Sequence, residues 1–266
     1  MDLSAPLVPP LGPVVISTGA LLVALLVALL LLLLRYAGRR IVDGYLIQLR
    51  PLAGVQLLER QIGQAIESGE QIHLGLGRGE LIGRQSMTSL SGLAVLDALA
   101  EDSCANDTPP LVTANAGTLH PAAQDSLFRG YVAAGRLRDY RADSALLLAP
   151  DSAPFVYAAG AADLITNHGV CSNILVGHFG SEIVLLTEAA DRQATTQIIG
   201  SADPTALAIA STVTPHLLIG EELLATRSYL ERRDSRIAAL RAQDFMRYAV
   251  AAALLLAALY GLITGG

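Results

Sequence analysis

A glycine-rich stretch early in the chain has residue types that can bind phosphate. Between Gly75 and Gly83, glycines are interleaved with Arg78 and Glu80. The stretch follows a predicted strand and precedes a predicted helix, where backbone N–H groups can approach an anion. The dinucleotide fingerprint needs glycine in place of Glu80, and a P-loop needs Lys-Ser/Thr directly after Gly83. We therefore favour a structural turn that needs positive φ. If a ligand binds, its predicted contacts are Arg78, Arg84 and Ser86.

Polar residues also follow several other predicted strands. Asn115, His178, Ser201 and Glu221 each come at or just after the end of a short apolar run. The carboxyl ends of parallel strands share one edge of a sheet, and ligands bind at that edge in open α/β proteins. The four residues therefore predict a shallow pocket. Loops need the same residue types for turns and caps, however, so a structural role is the favoured interpretation.

The sequence predicts no metal centre, cofactor or catalytic group. His168 and Cys171 with the distant His178 lack the second ligand pair that zinc sites have. His73, His120 and His216 begin or adjoin elements, where capping or polar-tip roles are commoner than ligation. The chain contains no Gly-x-Ser-x-Gly nucleophile elbow.

Short apolar runs alternate with helical patterns through the middle of the chain. Such alternation is typical of right-handed βαβ crossovers, and it predicts an α/β fold with a mostly parallel sheet flanked by helices, that is, Rossmann-like. Residues 41–49 fit a short strand or an extended linker. The predicted strands are 71–76, 111–114, 144–149, 172–176, 196–199 and 217–219. The predicted helices are 51–68, 86–100, 119–135, 153–166, 182–192 and 204–213.

Both ends of the chain are predicted to cross a membrane, at residues 14–35 and 248–264. The first run would rise about 32 Å as a helix, close to the hydrocarbon thickness of a bilayer. A cleaved signal peptide is the alternative, but it needs a basic segment before the apolar run, and residues 1–13 contain no Lys or Arg. Arginines flank each span on the side of the middle region, which predicts a cytoplasmic middle and extracytoplasmic termini.

These assignments give a multi-pass protein of the cell membrane with five segments. They are an extracytoplasmic tail (1–13), a first span (14–35), a cytoplasmic α/β domain (36–222), a helical stalk (223–247) and a second span (248–264). The absence of Gly and Pro from 223 to 260 predicts one continuous helix through the stalk and second span. Cys104 and Cys171 are far apart in sequence and fit a reducing compartment, although spacing leaves a disulfide open.

Charge and composition narrow the partners. All 18 cationic residues are arginine, the formal net charge is −6, and tryptophan is absent. No arginine-rich face with interleaved aromatic residues is present, so nucleic-acid binding is not predicted. The predicted partners are the lipid bilayer and further copies of the chain.

The middle domain resembles an uncharacterised family of bacterial and archaeal membrane proteins, classed as a domain of unknown function. The resemblance covers most of residues 45–230. It rests on the stretch from Ser172 to Gly180, the Ile199-Gly-Ser201 turn, and the stretch from Leu218 to Leu223. It implies the layout of one α/β domain between two membrane helices, and it implies no activity.

Three functions follow as hypotheses. The first is a membrane-anchored, non-enzymatic scaffold that forms a homo-oligomer, because anchored copies share one plane at high local concentration. The second is a cytoplasmic sensor that binds a small molecule or nucleotide at the carboxyl edge of the sheet. An enzyme ranks third.

Overall fold

The structure, a computed structural model, describes residues 51–231 without a gap. It also describes the helical residues 28–29, 31–32, 35–36, 237, 240, 243–244, 246–248, 250–251 and 254. The chain divides into two compact units, one formed by Gln48–Arg232 and the other by Met1–Ile47 with Arg233–Gly266. The candidate site lies in the Gln48–Arg232 unit, called the α/β unit below.

The α/β unit alternates helices and strands along its length. The helices are α1 (Ala53–Ser68), α2 (Ser86–Ala105), α3 (Leu119–Ala133), α4 (Pro154–Asn167), α5 (Ile183–Arg192), α6 (Pro204–Val213) and α7 (Glu221–Glu231). The strands are β1 (Gln71–Gly77), β2 (Leu111–Ala114), β3 (Ala145–Leu147), β4 (Val170–His178), β5 (Thr196–Ser201) and β6 (Leu217–Ile219). Two short 3-10 helices, Leu137–Asp139 and Ala142–Ser144, connect α3 to β3.

The six strands form one parallel sheet in the order β3-β2-β1-β4-β5-β6. This confirms the predicted α/β class with helices flanking a parallel sheet. The chain starts at the centre with β1, moves outward to β3, then returns to the other side of β1 with β4. The strand order therefore reverses between β1 and β4, and their carboxyl ends flank the crevice where ligands bind in open α/β sheets.

Each face of the sheet has its own apolar layer. On the first face, Ile72, Leu74 and Leu76 of β1 belong to a cluster with residues of α1, α2, α3 and α7. On the second face, the cluster contains residues of α4, α5 and α6. Burial of each of these large aliphatic side chains contributes about 2 kcal/mol, so both helix layers are held to the sheet mainly by apolar packing.

The predicted elements differ from the observed ones chiefly in length. Helix α2 extends to Ala105, beyond the predicted end at residue 100, because Ser103 and Cys104 are buried in spite of the polar residues around them. Strand β4 runs from Val170 to His178 rather than 172–176, since both of its ends pair with β1. Cys104 and Cys171 are both free thiols.

Within the described residues, no helix has the length and apolar character that crossing a bilayer requires. Most of the predicted spans 14–35 and 248–264, and all of 41–49, lie outside the described residues. The predicted long helix is described continuously only as α7, to Glu231.

Candidate functional site

The candidate site is the carboxyl edge of the sheet at the reversal between β1 and β4. Helices α2 to α7 each follow a strand in the chain order, so their N-termini lie toward this edge. The loop from Arg78 to Gln85, called the glycine loop below, connects β1 to α2.

Backbone hydrogen bonds fix the start of the glycine loop to both neighbouring strands. The Arg78 N–H donates to the His178 carbonyl at 3.0 Å, and the Asn115 N–H donates to the Gly77 carbonyl at 2.9 Å. Gly77 has φ 68°, in the left-handed region, and a Cβ there would overlap the His178 carbonyl oxygen. Only glycine avoids both penalties, so the loop leaves the sheet in a single direction.

An ion pair crosses the reversal point. The Arg78 Nε lies 3.4 Å from Glu182 Oε1, and the two side chains are 30% and 3% exposed. The same carboxylate oxygen accepts the Gly180 N–H at 2.8 Å. Among the described residues the Arg78 Nε has no aligned hydrogen-bond acceptor, so its contact with Glu182 is ionic. A carboxylate this buried requires a counter-charge, and Arg78 supplies it.

His178 is half-buried at the end of β4. Burial lowers its pKa, and the Arg78 guanidinium lowers it further, against opposing effects of Asp203, Glu182 and Asp151. The imidazole is therefore neutral at pH 7, with one nitrogen able to donate and the other to accept a hydrogen bond.

The remaining predicted site residues fall into two groups. Arg84 is exposed in the glycine loop, and the Ser86 hydroxyl donates to the Gly83 carbonyl at 2.9 Å. Asn115 is buried; in the amide orientation that its neighbours require, its nitrogen donates to the carbonyls of Ala149 and Pro150 at 2.7 and 2.9 Å. Asn115 therefore connects the ends of β2 and β3.

Ser201 and Glu221 lie on the β5–β6 side. The buried Ser201 Oγ accepts the Asp203 N–H at 3.1 Å, and Glu221 is the exposed first residue of α7. The Asp203 carboxylate accepts the N–H groups of Thr205 and Ala206 at 2.8 and 3.2 Å. The predicted start of this helix at residue 204 is confirmed.

The structure thus places Arg78 next to His178. Ser201 and Glu221 lie instead at the starts of α6 and α7. Glu182, whose carboxylate pairs with Arg78, was not predicted from the sequence as a site residue. A signal was available, because Glu182 is the first residue of the predicted helix 182–192, and an acidic residue at a helix start commonly interacts with the unpaired N–H groups there. Its pairing with Arg78 could not be predicted from the sequence, because the two residues are more than 100 positions apart.

Helix N-termini along this edge differ between the two halves of the sheet. In the β4–β6 half, Glu182 precedes α5, Asp203 caps α6, and Glu221 with Glu222 opens α7. In the β1–β3 half, α2, α3 and α4 follow Gln85, Thr118 and Ala153. Within the described residues, no side chain caps these three helices, and their first turns contain no acid.

A chain of buried polar side chains lies under the reversal point. The His73 Nδ1 is 2.7 Å from Asn173 Oδ1, and its Nε2 is 2.9 Å from Thr113 Oγ1. Thr113 Oγ1 is in turn 3.1 Å from the Tyr157 hydroxyl. These four residues, called the buried polar chain below, are at most 1% exposed. The expected capping or polar-tip role of His73 is therefore wrong, because His73 lies inside β1 and is fully buried.

Burial dominates the acid–base properties of this chain. It lowers the pKa of His73 to about 4, against a hydrogen bond with Asn173 that raises it. It raises the pKa of Tyr157 to about 12, against hydrogen bonds with Thr113 and the Gly77 backbone that lower it. Both side chains are neutral at pH 7. Across the described residues, no three His, Cys, Asp or Glu side chains are grouped in a way that could hold a metal ion.

A family model described as Domain of unknown function (DUF6754) matches residues 15–265. No curated protein matches the chain. No solved structure matches it either.

Proposed function

The chain belongs to the DUF6754 family, and we propose that its α/β unit is a sensor domain that binds a small anionic molecule, such as a nucleotide, at the carboxyl edge of its sheet. The observation that carries this proposal is the pairing of the strand-order reversal with a glycine loop that bears Arg78 and Arg84.

Electrostatics favour an anion in the β1–β3 half. The first N–H groups of a helix lack intrahelical partners and form a partial positive charge. In the β4–β6 half, the Asp203 carboxylate accepts the first N–H groups of α6, and Glu221 and Glu222 lie in the first turn of α7. Glu182 precedes α5, but its carboxylate contacts the Gly180 N–H and Arg78 rather than the N–H groups of α5. In the β1–β3 half no side chain of the described residues caps a helix. Glu80 in the glycine loop and Asp151 after β3 are exposed, where water and salt screen their charge, and the buried Glu182 is already paired with Arg78.

Charged side chains point the same way. Arg78 and Arg84 both belong to the glycine loop, and the loops that follow the other five strands contain no arginine. Arg84 is exposed and adjoins the start of α2, so it can contact an anion without loss of a buried ion pair. A charge-assisted hydrogen bond of this kind contributes about 1.5–3 kcal/mol.

The test is nucleotide binding to the full chain in detergent. We expect a saturable shift in thermal unfolding with at least one of ATP, ADP, AMP, GTP and inorganic phosphate. Arg84→Ala should weaken that binding roughly tenfold, as expected for one lost charge-assisted hydrogen bond.

Arg192→Ala is the matched control, because Arg192 is an exposed arginine in the last turn of α5, paired with Glu188 and away from the carboxyl edge. Absence of a shift with all five compounds, or an equal loss of affinity in both variants, would contradict the proposal.

A second candidate is the membrane-anchored scaffold, a homo-oligomer with a cytoplasmic α/β unit and both termini outside the cell. It is favoured by exposed apolar side chains around the start of α2, namely Ile82, Met87 and Leu90. Exposed apolar groups that lie close together are typical of protein interfaces. Sizing of the detergent-extracted protein tests it: we expect an oligomer that Leu90→Ser weakens, and a monomeric wild type would contradict it.

A further inference from the structure

We propose that Arg78 and the backbone N–H of Gly180 form an anion-binding site, and that the Glu182 carboxylate occupies this site as an internal competitor of the ligand. This inference rests on the proposed function and deepens it, since the site lies at the same reversal point. It assigns to Glu182 the regulation of anion binding: a ligand reaches Arg78 only by displacing this carboxylate.

Two hydrogen-bond donors of different kinds lie around one carboxylate oxygen. The Gly180 N–H donates to Glu182 Oε1 at 2.8 Å, and the Arg78 Nε lies 3.4 Å from the same oxygen. A guanidinium and a backbone N–H are both groups with which proteins bind carboxylates and phosphates. Arg78 follows β1 and Gly180 follows β4, so the strand-order reversal brings the two donors together.

Gly180 leaves the space in which the anion lies. It is buried, and a Cβ there would be 2.7 Å from Arg78 Nη2 and 2.9 Å from Glu182 Oε2. Any side chain at this position would therefore push the guanidinium and the carboxylate apart. With glycine, both groups can approach the same backbone N–H.

Glu182 neutralises Arg78 but satisfies its hydrogen bonds only in part. The Arg78 Nε is shielded from water and has no aligned acceptor among the described residues. Its distance of 3.4 Å from the carboxylate exceeds the roughly 2.7–2.9 Å of a charge-assisted hydrogen bond. A phosphate presents several oxygens, so one can accept from the Nε while another accepts the Gly180 N–H. The Arg78 side chain is 30% exposed, so an anion can reach it from solvent.

A displaced Glu182 carboxylate has a favourable position close by. Glu182 directly precedes α5, and no side chain within the described residues caps that helix. The partial positive charge at a helix N-terminus stabilises a carboxylate. The exchange therefore replaces one anion by another at Arg78 and moves the first one to the start of α5.

Anion binding to Glu182→Gln, as the full chain in detergent, tests this competition. Glutamine has the shape of glutamate and keeps an oxygen that accepts the Gly180 N–H, so only the negative charge is lost. We expect the affinity for inorganic phosphate, and for any nucleotide that the wild type binds, to rise about tenfold, as for one gained charge-assisted hydrogen bond. Titration followed by thermal unfolding measures it.

Glu188→Gln is the matched control, because Glu188 lies in the same helix but is exposed and pairs with Arg192. It should leave the affinity unchanged. Adding Gly180→Ala to Glu182→Gln should remove the gain, since the methyl group fills the space beside Arg78. The atoms that it meets are the ends of flexible side chains, so we expect the fold to tolerate it.

Equal affinity of Glu182→Gln and the wild type, or a gain that persists with Gly180→Ala, would overturn the inference. If Glu182→Gln does not fold, Gly180→Ala in the wild-type chain decides. It should weaken anion binding about tenfold, and unchanged or undetected binding would overturn the inference.

The same titrations separate the two proposals. If none of the five compounds binds the wild type, but phosphate binds Glu182→Gln and is lost with Gly180→Ala, the Arg78–Gly180 site stands and the sensor function fails. If a compound binds the wild type and Glu182→Gln equally well, the competitor role of Glu182 fails alone. If no compound binds either protein, both proposals fail.

Discussion

The two halves of the sheet differ in what lies at the N-termini of their helices, where the first N–H groups form a partial positive charge. In the β4–β6 half, acidic residues of the chain lie at the helix starts, with Asp203 on two N–H groups of α6 and Glu182 before α5. In the β1–β3 half, no side chain of the described residues caps the helices, and the adjacent loop carries arginines instead. Acids of the chain thus lie at the helix starts of one half only, and the proposed function places an external anion at the helix starts of the other half.

The buried polar chain joins these halves, and it should produce the largest effect. His73 has a folded pKa of about 4 against 6.5 in the unfolded chain. The unfolded state therefore gains a proton as the pH falls below 6.5 while the folded state stays neutral. Stability is full above that pH and should fall by about 3 kcal/mol by pH 4.

Chemical unfolding at several pH values measures this loss. His73→Leu should be less stable than the wild type at pH 7, because Asn173 and Thr113 lose a hydrogen-bond partner. Its free energy of unfolding should, however, not show the fall of about 3 kcal/mol between pH 6.5 and 4 that His73 causes. The same slope between pH 6.5 and 4 in both proteins would show that His73 is not its source.

Arg78→Ala tests the ion pair across the reversal point. It leaves the Glu182 carboxylate, only 3% exposed, without its counter-charge. Breaking a fully buried pair costs about 3–5 kcal/mol. Arg78 is partly solvated, so we expect about 2 kcal/mol in the free energy of unfolding.

Arg129→Ala is the comparison for Arg78→Ala, since Arg129 pairs with Asp125 and Asp97 on the surface. That loss should stay below about 1 kcal/mol. Equal losses in the two variants would mean that burial of Glu182 does not matter.

The smallest effect is expected from exchanging the residue types that precede α4 and α6, and this exchange tests the difference between the two halves of the sheet directly. Helices α4 and α6 both start with proline, after Ala153 in one case and Asp203 in the other. Asp203→Ala should cost about 1 kcal/mol, the usual value of an N-cap. Ala153→Asp should add less than that, since the backbone at Ala153 departs from the extended conformation of a capping residue.

Thermal unfolding detects both changes, and the nucleotide measurement adds a second observable. An acid placed at Ala153 should weaken anion binding in the β1–β3 half, whereas Asp203→Ala should not. If Ala153→Asp leaves anion affinity unchanged, the uncapped start of α4 takes no part in binding.

The sequence predicts the local order of elements well, because that order depends on patterns within a few residues. The bounds of β2, α6 and β6 are confirmed to the residue. The ends of α2 and β4 were missed because burial of Cys104 and pairing of β4 with β1 are tertiary effects. The candidate site was predicted only in part for the same reason. The sequence shows that the glycine loop contains Arg78 and Arg84, but the contact of Arg78 with Glu182 depends on the order of the strands in the sheet.

His73 shows the limit most directly. From sequence it is one histidine among five, within the predicted strand 71–76. Its partners Asn173 and Thr113 come from strands 100 and 40 residues away. No local pattern connects them, since only the parallel pairing of β1 with β2 and β4 brings the three side chains onto one face.

The strands become shorter toward both edges of the sheet. Its outermost strands, β3 and β6, are each three residues long, whereas the central β4 has nine. A strand this short presents few free backbone groups to a neighbouring molecule, which discourages growth of the sheet from one molecule into the next. Copies that come together in this region would therefore meet through side chains on helices and loops, and such contacts can form and separate without any change in the strands themselves.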